Sequence, residues 1–274
     1  MKQERLENKK GLLIITVITL IFIIIYISSI VYTNSIGDSQ FMYRAWGWTE
    51  YFIGICSVGV IIKKYKAIKL RYIAVGMLLM LISSVSFYYR TNWVTILPQV
   101  FIITSTFVAS SLISDGPIKA SIVKGNIKKS ITSFIIGAGI SLPLGIINLM
   151  YFRSTFGIRA FESPAFSAFI ALQPGIAEEI IFRFFIMNVL MVVLSKYFSK
   201  NTAIILSFIF AIVPHSLIHF SELWIVNPIG AISMLILTCS LFGFPMAYLQ
   251  YKRDLETAIA FHWCIDFIRF WGGY

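Results

Sequence analysis

Charged residues are scarce in this sequence: they make up 13% of the chain, whereas 58% of its residues are hydrophobic. The mean hydropathy is correspondingly high, at +0.83. Soluble domains are nearer half apolar and about a quarter charged. The composition therefore argues against a soluble protein and indicates an integral membrane protein.

Cysteine is also rare, and neither a CxxC nor an HExxH pattern is present. The three cysteines, Cys56, Cys239 and Cys264, lie in apolar segments and are predicted to be buried hydrophobes rather than disulfides or metal ligands. The net charge of +11 comes from short Lys/Arg clusters between apolar runs. That distribution is typical of cytoplasmic loops, so no nucleic-acid partner is predicted.

The apolar runs predict an all-α fold, a polytopic transmembrane helix bundle of 8–9 spans in a lipid bilayer. Glu50 interrupts the second run near one end, and Pro174-Gly175 breaks the long sixth run, so its first third is expected to be separate or kinked. A membrane helix needs about 20 largely apolar residues, and the candidate spans are 11–33, 45–62, 72–89, 92–114, 131–152, 166–195, 203–220, 226–250 and 255–272.

Loop charges predict the orientation. Most loop lysines and arginines fall in one alternate set of loops, at 1–10, 63–71, 119–129, 196–200 and 252–253. The opposite loops hold only Arg44, Arg90, Arg153 and Arg159. Because cytoplasmic loops carry the positive charge, we predict a multi-pass cell-membrane protein with a cytoplasmic N terminus.

Three spans carry ionisable side chains, which are costly in lipid and need a partner, a water-filled cavity or a function. They are Glu178, Glu179 and Arg183 in the sixth span, His215 and His219 in the seventh, and His262, Asp266 and Arg269 in the ninth. The first five spans carry almost nothing comparable. This concentration in the last hundred residues predicts one polar cavity near the C terminus.

The spacing within these spans suggests a division of roles. Glu179 and Arg183 are four residues apart on one helix face, which favours a structural ion pair. Glu178 is rotated by about 100° and has no partner on its own helix, so it suits a general base or acid facing another span. His262 and Asp266 are also four residues apart. A carboxylate and a histidine that hold water, opposite donors for an oxyanion, are equipment for peptide hydrolysis.

These motifs resemble the CPBP family of intramembrane glutamic endopeptidases, which comprises CAAX-type proteases and bacteriocin-processing or immunity proteins and is also called the Abi family. The family's EExxxR motif is met by Glu178 to Arg183, with Pro174 and Ala177 before it. Its HxxxN or HxxxD motif is met by His262 and Asp266. The resemblance covers roughly 165–270. It implies N-terminal spans without motifs at 1–165 and a catalytic helix bundle at 166–274.

The second family motif, FxxxH, is imperfect in this sequence. Phe210 precedes His215 by five positions, with Pro214 as the apparent extra residue. His219 is the alternative, although His215 then stands where the motif has Phe. We favour His215, and the choice between the two histidines stays open from the sequence.

The resemblance also implies roles. Glu178 and His215 would activate water, and His262 and Asp266 would form the oxyanion side, without a cofactor or metal. Asp266 must then be protonated, or must only orient His262, because a carboxylate repels an oxyanion. The substrate would be a membrane-bound peptide or protein, and the oligomeric state is left open.

Two other functions fit the same residues. The first is a zinc protease with Glu178, His215 and His262 as ligands, since these are zinc-binding side chains. The second is a non-catalytic immunity or regulatory protein that binds a membrane partner through the same cavity.

Overall fold

The protein is described by a computed structural model that covers residues 2–37, 41–88, 93–113, 118–220 and 223–274. Every regular element within these ranges is helical, which confirms the predicted all-α class. Arg90 lies outside the described residues, as do 38–40 and 115–117 in two of the predicted loops and the ends of two predicted spans at 89, 92 and 114.

Nine helical segments of the described chain follow the nine predicted spans in order. They are α1 (Lys2–Ser35), α2 (Phe41–Lys63), α3 (Leu70–Tyr88), α4 (Trp93–Ser111) and α5 (Ile127–Phe156); α6 (Pro164–Ile170), α7 (Leu172–Glu178), a π-helical segment (Glu179–Met187) and α8 (Asn188–Leu194); α9 (Lys200–Leu217); α10 (Leu223–Val226) and α11 (Pro228–Thr238), a second π-helical segment (Cys239–Gly243) and α12 (Phe244–Lys252); and α13 (Leu255–Trp271). Five of the described helices are long and apolar enough to cross a membrane, which indicates a multi-pass membrane protein.

The sixth predicted span is divided, but its break lies three residues before Pro174. Helix α6 ends at Ile170, and α7 begins at Leu172. Proline has no N–H to donate, and its ring clashes with the carbonyl four residues earlier. Pro174 therefore disrupts the helix at Ile170 rather than at its own position, and α7 starts as a new helix that leads into the site.

Helices α5 and α13 pack closely through small side chains. The buried residues of α5 are Ser133, Gly137, Ser141 and Gly145, at four-residue spacing on one face. A Cβ atom at Gly137 would lie only 2.2 Å from the Thr257 carbonyl oxygen. Small residues permit such close backbone approach between membrane helices, and this contact fixes α13 within the bundle.

Gly175 gives α7 the same close approach to α13. A Cβ atom there would lie 3.2 Å from both the backbone nitrogen and the Cβ atom of Trp263. Glu178 and Glu179 follow Gly175 by about one helical turn. The glycine contact therefore sets both glutamates beside His262 on α13.

The N-terminal spans also reach the histidine helix α9. The Tyr26 hydroxyl on α1 donates a hydrogen bond to the Pro214 carbonyl at 2.9 Å. The Trp46 ring on α2 stacks on Phe182 with 4.8 Å between ring centroids, and its centroid lies 5.8 Å from that of His215. Contacts therefore cross the boundary between the two predicted domains, whose division stays a prediction.

Candidate active site

Glu178, at the end of α7, lies at the centre of the cluster. Its Oε2 atom shares a short hydrogen bond with Nε2 of His215 on α9 and lies 3.6 Å from Nε2 of His262 on α13. The Glu178 side chain retains 12% exposure, whereas both histidines are buried. The structure thus brings together, around a partly accessible carboxyl, groups that are separated by up to 84 positions in the sequence.

Arg183 contacts both a glutamate and a histidine. Its Nη1 atom donates to Glu179 Oε1 at 3.1 Å, and its Nη2 atom lies 3.0 Å from Nδ1 of His215. A guanidinium can only donate hydrogen bonds, so Nδ1 of His215 must accept. The proton of the neutral His215 ring is then on Nε2, pointing at Glu178.

Glu179 orients the other histidine. Its Oε1 atom lies 2.9 Å from Nδ1 of His262, and an ionised carboxylate can only accept, so Nδ1 of His262 carries a proton. Nε2 of His262 is left facing Glu178 and Asp266. Glu179 and Arg183 therefore form a buried bridge between the two histidines. Arg183 contacts Nδ1 of His215, and Glu179 contacts Nδ1 of His262. The sequence suggested only the ion pair.

Asp266 is held between two partners on its own helix. Its Oδ1 atom accepts from Nη2 of Arg269 at 2.9 Å, and its Oδ2 atom lies 3.5 Å from Nε2 of His262. Arg269 therefore supplies a counter-charge for Asp266, rather than only extending to the membrane interface as a terminal arginine would.

His219 lies in the 3-10 turn Ile218–Phe220, beyond the end of α9. Its ring centroid is 5.2 Å from that of His215, and the residue is exposed. Glu178 is bonded to His215, so the described structure places the deeper histidine against the carboxylate and the second one at the edge of the cluster.

The described residues offer one set of potential metal ligands at this point, and it differs from the predicted zinc set. Ligand atoms of Glu178, His215 and His219 lie within 4.8 Å of one another, whereas His262 is not part of that group. A neutral histidine that binds zinc through Nε2 must carry its proton on Nδ1. At His215 that proton would face the Arg183 donor. The residues present therefore do not fit a zinc site at His215.

Sequence reasoning missed the contribution of α2 and α4. Glu50 on α2 is 2% exposed and accepts a short hydrogen bond from Nε2 of Gln99 on α4. Glu50 follows Trp46 by one helical turn, and the Trp46 ring lies 5.8 Å from that of His215, so α2 relates Glu50 to the site. The available signal was the charge itself, since Glu50 interrupts an otherwise apolar run and such residues mark functional sites in membrane segments.

Fold and site together define a membrane helix bundle with a buried network of carboxylates, histidines and an arginine. Residues 160–268 match the family model described as type II CAAX prenyl endopeptidase Rce1-like. The match confirms the resemblance to CPBP and CAAX proteases for the segment that carries the motifs, and it supports an intramembrane protease. Comparison with curated proteins and with solved structures gives no match.

Proposed function

We propose that this protein is a metal-independent glutamic endopeptidase of the cell membrane that hydrolyses a peptide bond in a membrane-bound peptide or protein. One observation carries the proposal. Glu178 is held by Nε2–H of His215, whose tautomer is fixed by Arg183 at Nδ1. This arrangement keeps a partly accessible carboxylate oriented and ready to accept a proton.

In this mechanism a water molecule next to Glu178 attacks the peptide carbonyl. Glu178 takes a proton from the water as the new C–O bond forms, and it returns that proton to the amine as the C–N bond breaks. His215 donates to the Glu178 carboxylate throughout and orients it. The proton on Nε2 of His215 is not consumed, so the site returns to its starting state.

The oxyanion that forms on the carbonyl needs a donor. His262 supplies it in this proposal. Carboxyl oxygens of Glu178 and Asp266 lie 3.6 and 3.5 Å from its Nε2 atom and favour a second proton there, in addition to the one on Nδ1. Asp266, paired with Arg269, orients His262 and does not itself touch the oxyanion. Because Asp266 acts only through His262 in this role, its carboxylate does not repel the oxyanion.

A cleavage assay on purified protein, with and without EDTA, separates this mechanism from its alternatives. We expect a hydrophobic model peptide to be cleaved equally in both conditions. Activity that is lost in EDTA and restored by zinc would identify a metalloprotease instead. Binding of peptides without cleavage, for peptides that accumulate in a knock-out strain, would identify the non-catalytic immunity or regulatory protein.

A further inference from the structure

Glu50 is a buried acid that the proposed mechanism does not use. Glu50 lies on the same face of α2 as Trp46, which is one helical turn earlier in the sequence. The Trp46 ring lies against the ring of His215. Within the described residues Glu50 pairs with the neutral amide of Gln99 and with no cation. His215 is in turn the hydrogen-bond partner of Glu178, so Glu50 belongs to the surroundings of the catalytic carboxyl.

Hydrogen-bond acceptors outnumber donors at this pair. Glu50 contributes two carboxyl oxygens, and Oε1 of Gln99 is buried without a hydrogen-bond partner in the described structure. One bond, from Nε2 of Gln99, is present to satisfy them. Buried polar atoms without partners are costly. A group with several N–H donors and a positive charge would satisfy both the free acceptors and the carboxylate.

The charge around the histidines points the same way. With Glu50 included, the carboxyl groups of the network are Glu50, Glu178, Glu179 and Asp266, whereas its guanidinium groups are Arg183 and Arg269. With every carboxyl ionised and His262 protonated on both ring nitrogens, as the proposed mechanism requires, one negative charge is left over. In a low-dielectric interior, such an excess attracts a cation strongly.

We propose that Glu50 and Gln99 form a subsite that binds a cationic group of the substrate next to the scissile bond. A lysine ammonium has three donors and an arginine guanidinium has five, so either side chain, or a free amino terminus, fits the acceptors present. The inference rests on the proposed function, because it assigns a substrate feature to the same protease. It also gives the N-terminal spans, outside the matched family segment, a part in specificity.

Peptide binding tests the subsite without requiring cleavage. The probes are fluorescent Leu/Ala-rich hydrophobic peptides, acetylated at the N terminus, in which one lysine is moved along the sequence. Matched peptides carry norleucine, which has a similar length and no charge. Fluorescence anisotropy is measured with protein in lipid nanodiscs for the wild type, for Glu50→Gln and for Glu162→Gln, which removes an exposed carboxylate in the loop before α6.

We expect wild type to bind at least one lysine peptide ~10-fold more tightly than its norleucine match, since close charge pairs at interfaces couple at this level or above. Glu50→Gln should abolish that preference, and Glu162→Gln should keep it. The inference is overturned if wild type shows no lysine preference at any position, or if the preference survives Glu50→Gln. A preference without any cleavage would instead contradict the proposed function and leave the subsite standing.

Discussion

The bridge between Glu179 and Arg183 gives the sharpest prediction on stability. Both side chains are fully buried, and each is the other's charge partner at 3.1 Å. Removal of one member of a buried pair costs about 3–5 kcal/mol, because the remaining charge is uncompensated. Glu179→Gln and Arg183→Met should each lose this amount. Glu178→Gln should lose little, since it removes a charge and keeps the shape.

The double variant separates stability from chemistry. With both charges removed no uncompensated ion remains, so Glu179→Gln/Arg183→Met should be more stable than either single variant. It should nevertheless be inactive. Without Arg183, Nδ1 of His215 has lost its donor, and the proton is no longer confined to Nε2. Stability therefore recovers in this variant, whereas cleavage does not.

Denaturant unfolding of purified protein, together with membrane abundance by immunoblot, measures the stability part. Lys129→Met is the matched control, because the Lys129 ammonium lies 3.9 Å from Asp254 but its side chain is 53% exposed, and exposed pairs contribute at most about 1 kcal/mol. If the two single losses add up in the double variant, the charges do not compensate each other and the ion-pair account is wrong. If the double variant is as active as wild type, Arg183 is not needed to keep the His215 proton on Nε2, and that part of the mechanism is wrong.

Three further outcomes test the membrane orientation, the packing at Gly137 and the charge of Asp254. Lys124→Cys should resist an impermeant thiol reagent in intact cells, because positive loops are cytoplasmic; strong labelling would invert the topology. Gly137→Ala should lower the free energy of unfolding by about 1–3 kcal/mol, whereas Gly139→Ala, with open space around it, should raise it by ~0.5–1 kcal/mol; equal effects would contradict the helix contact. Burial alone would raise the pKa of Asp254, but hydrogen bonds from Thr257 and two serines outweigh it and hold the pKa below its ordinary value. Its stabilisation is therefore complete above about pH 4 and is lost as the pH falls through the lower folded-state pKa. Unfolding midpoints of wild type and Asp254→Ala should differ at pH 7 and converge in acid, and a constant difference would show that Asp254 acts without its charge.

Local spacing predicted the parts of the site that lie on one helix. The four-residue separation of Glu179 and Arg183 is enough to place them in contact, and the neighbouring position of Glu178 is enough to direct it elsewhere. The apolar runs likewise predicted the helical segments, because membrane spans are specified by length and hydropathy.

Contacts between helices could not be predicted in the same way. The bond from Arg183 to His215 and that from Glu179 to His262 depend on the π-helical segment and on the approach of α7 at Gly175. Neither feature has a periodic signal. The choice between His215 and His219 depends on where α9 changes to a 3-10 turn. Glu50 was visible as a charge, but only packing of α2 against α9 relates it to the site.

The most direct test of the account is peptide cleavage by Glu178→Gln. Glutamine keeps the shape of the side chain and cannot take a proton from water. A positioned general base contributes typically ~10²–10⁴-fold, so turnover should fall by at least ~10²-fold while the variant remains folded and abundant. His215→Ala should lose activity similarly, and His219→Ala should have a mild effect. Cleavage by Glu178→Gln at the wild-type rate would contradict the assignment of Glu178 as the base.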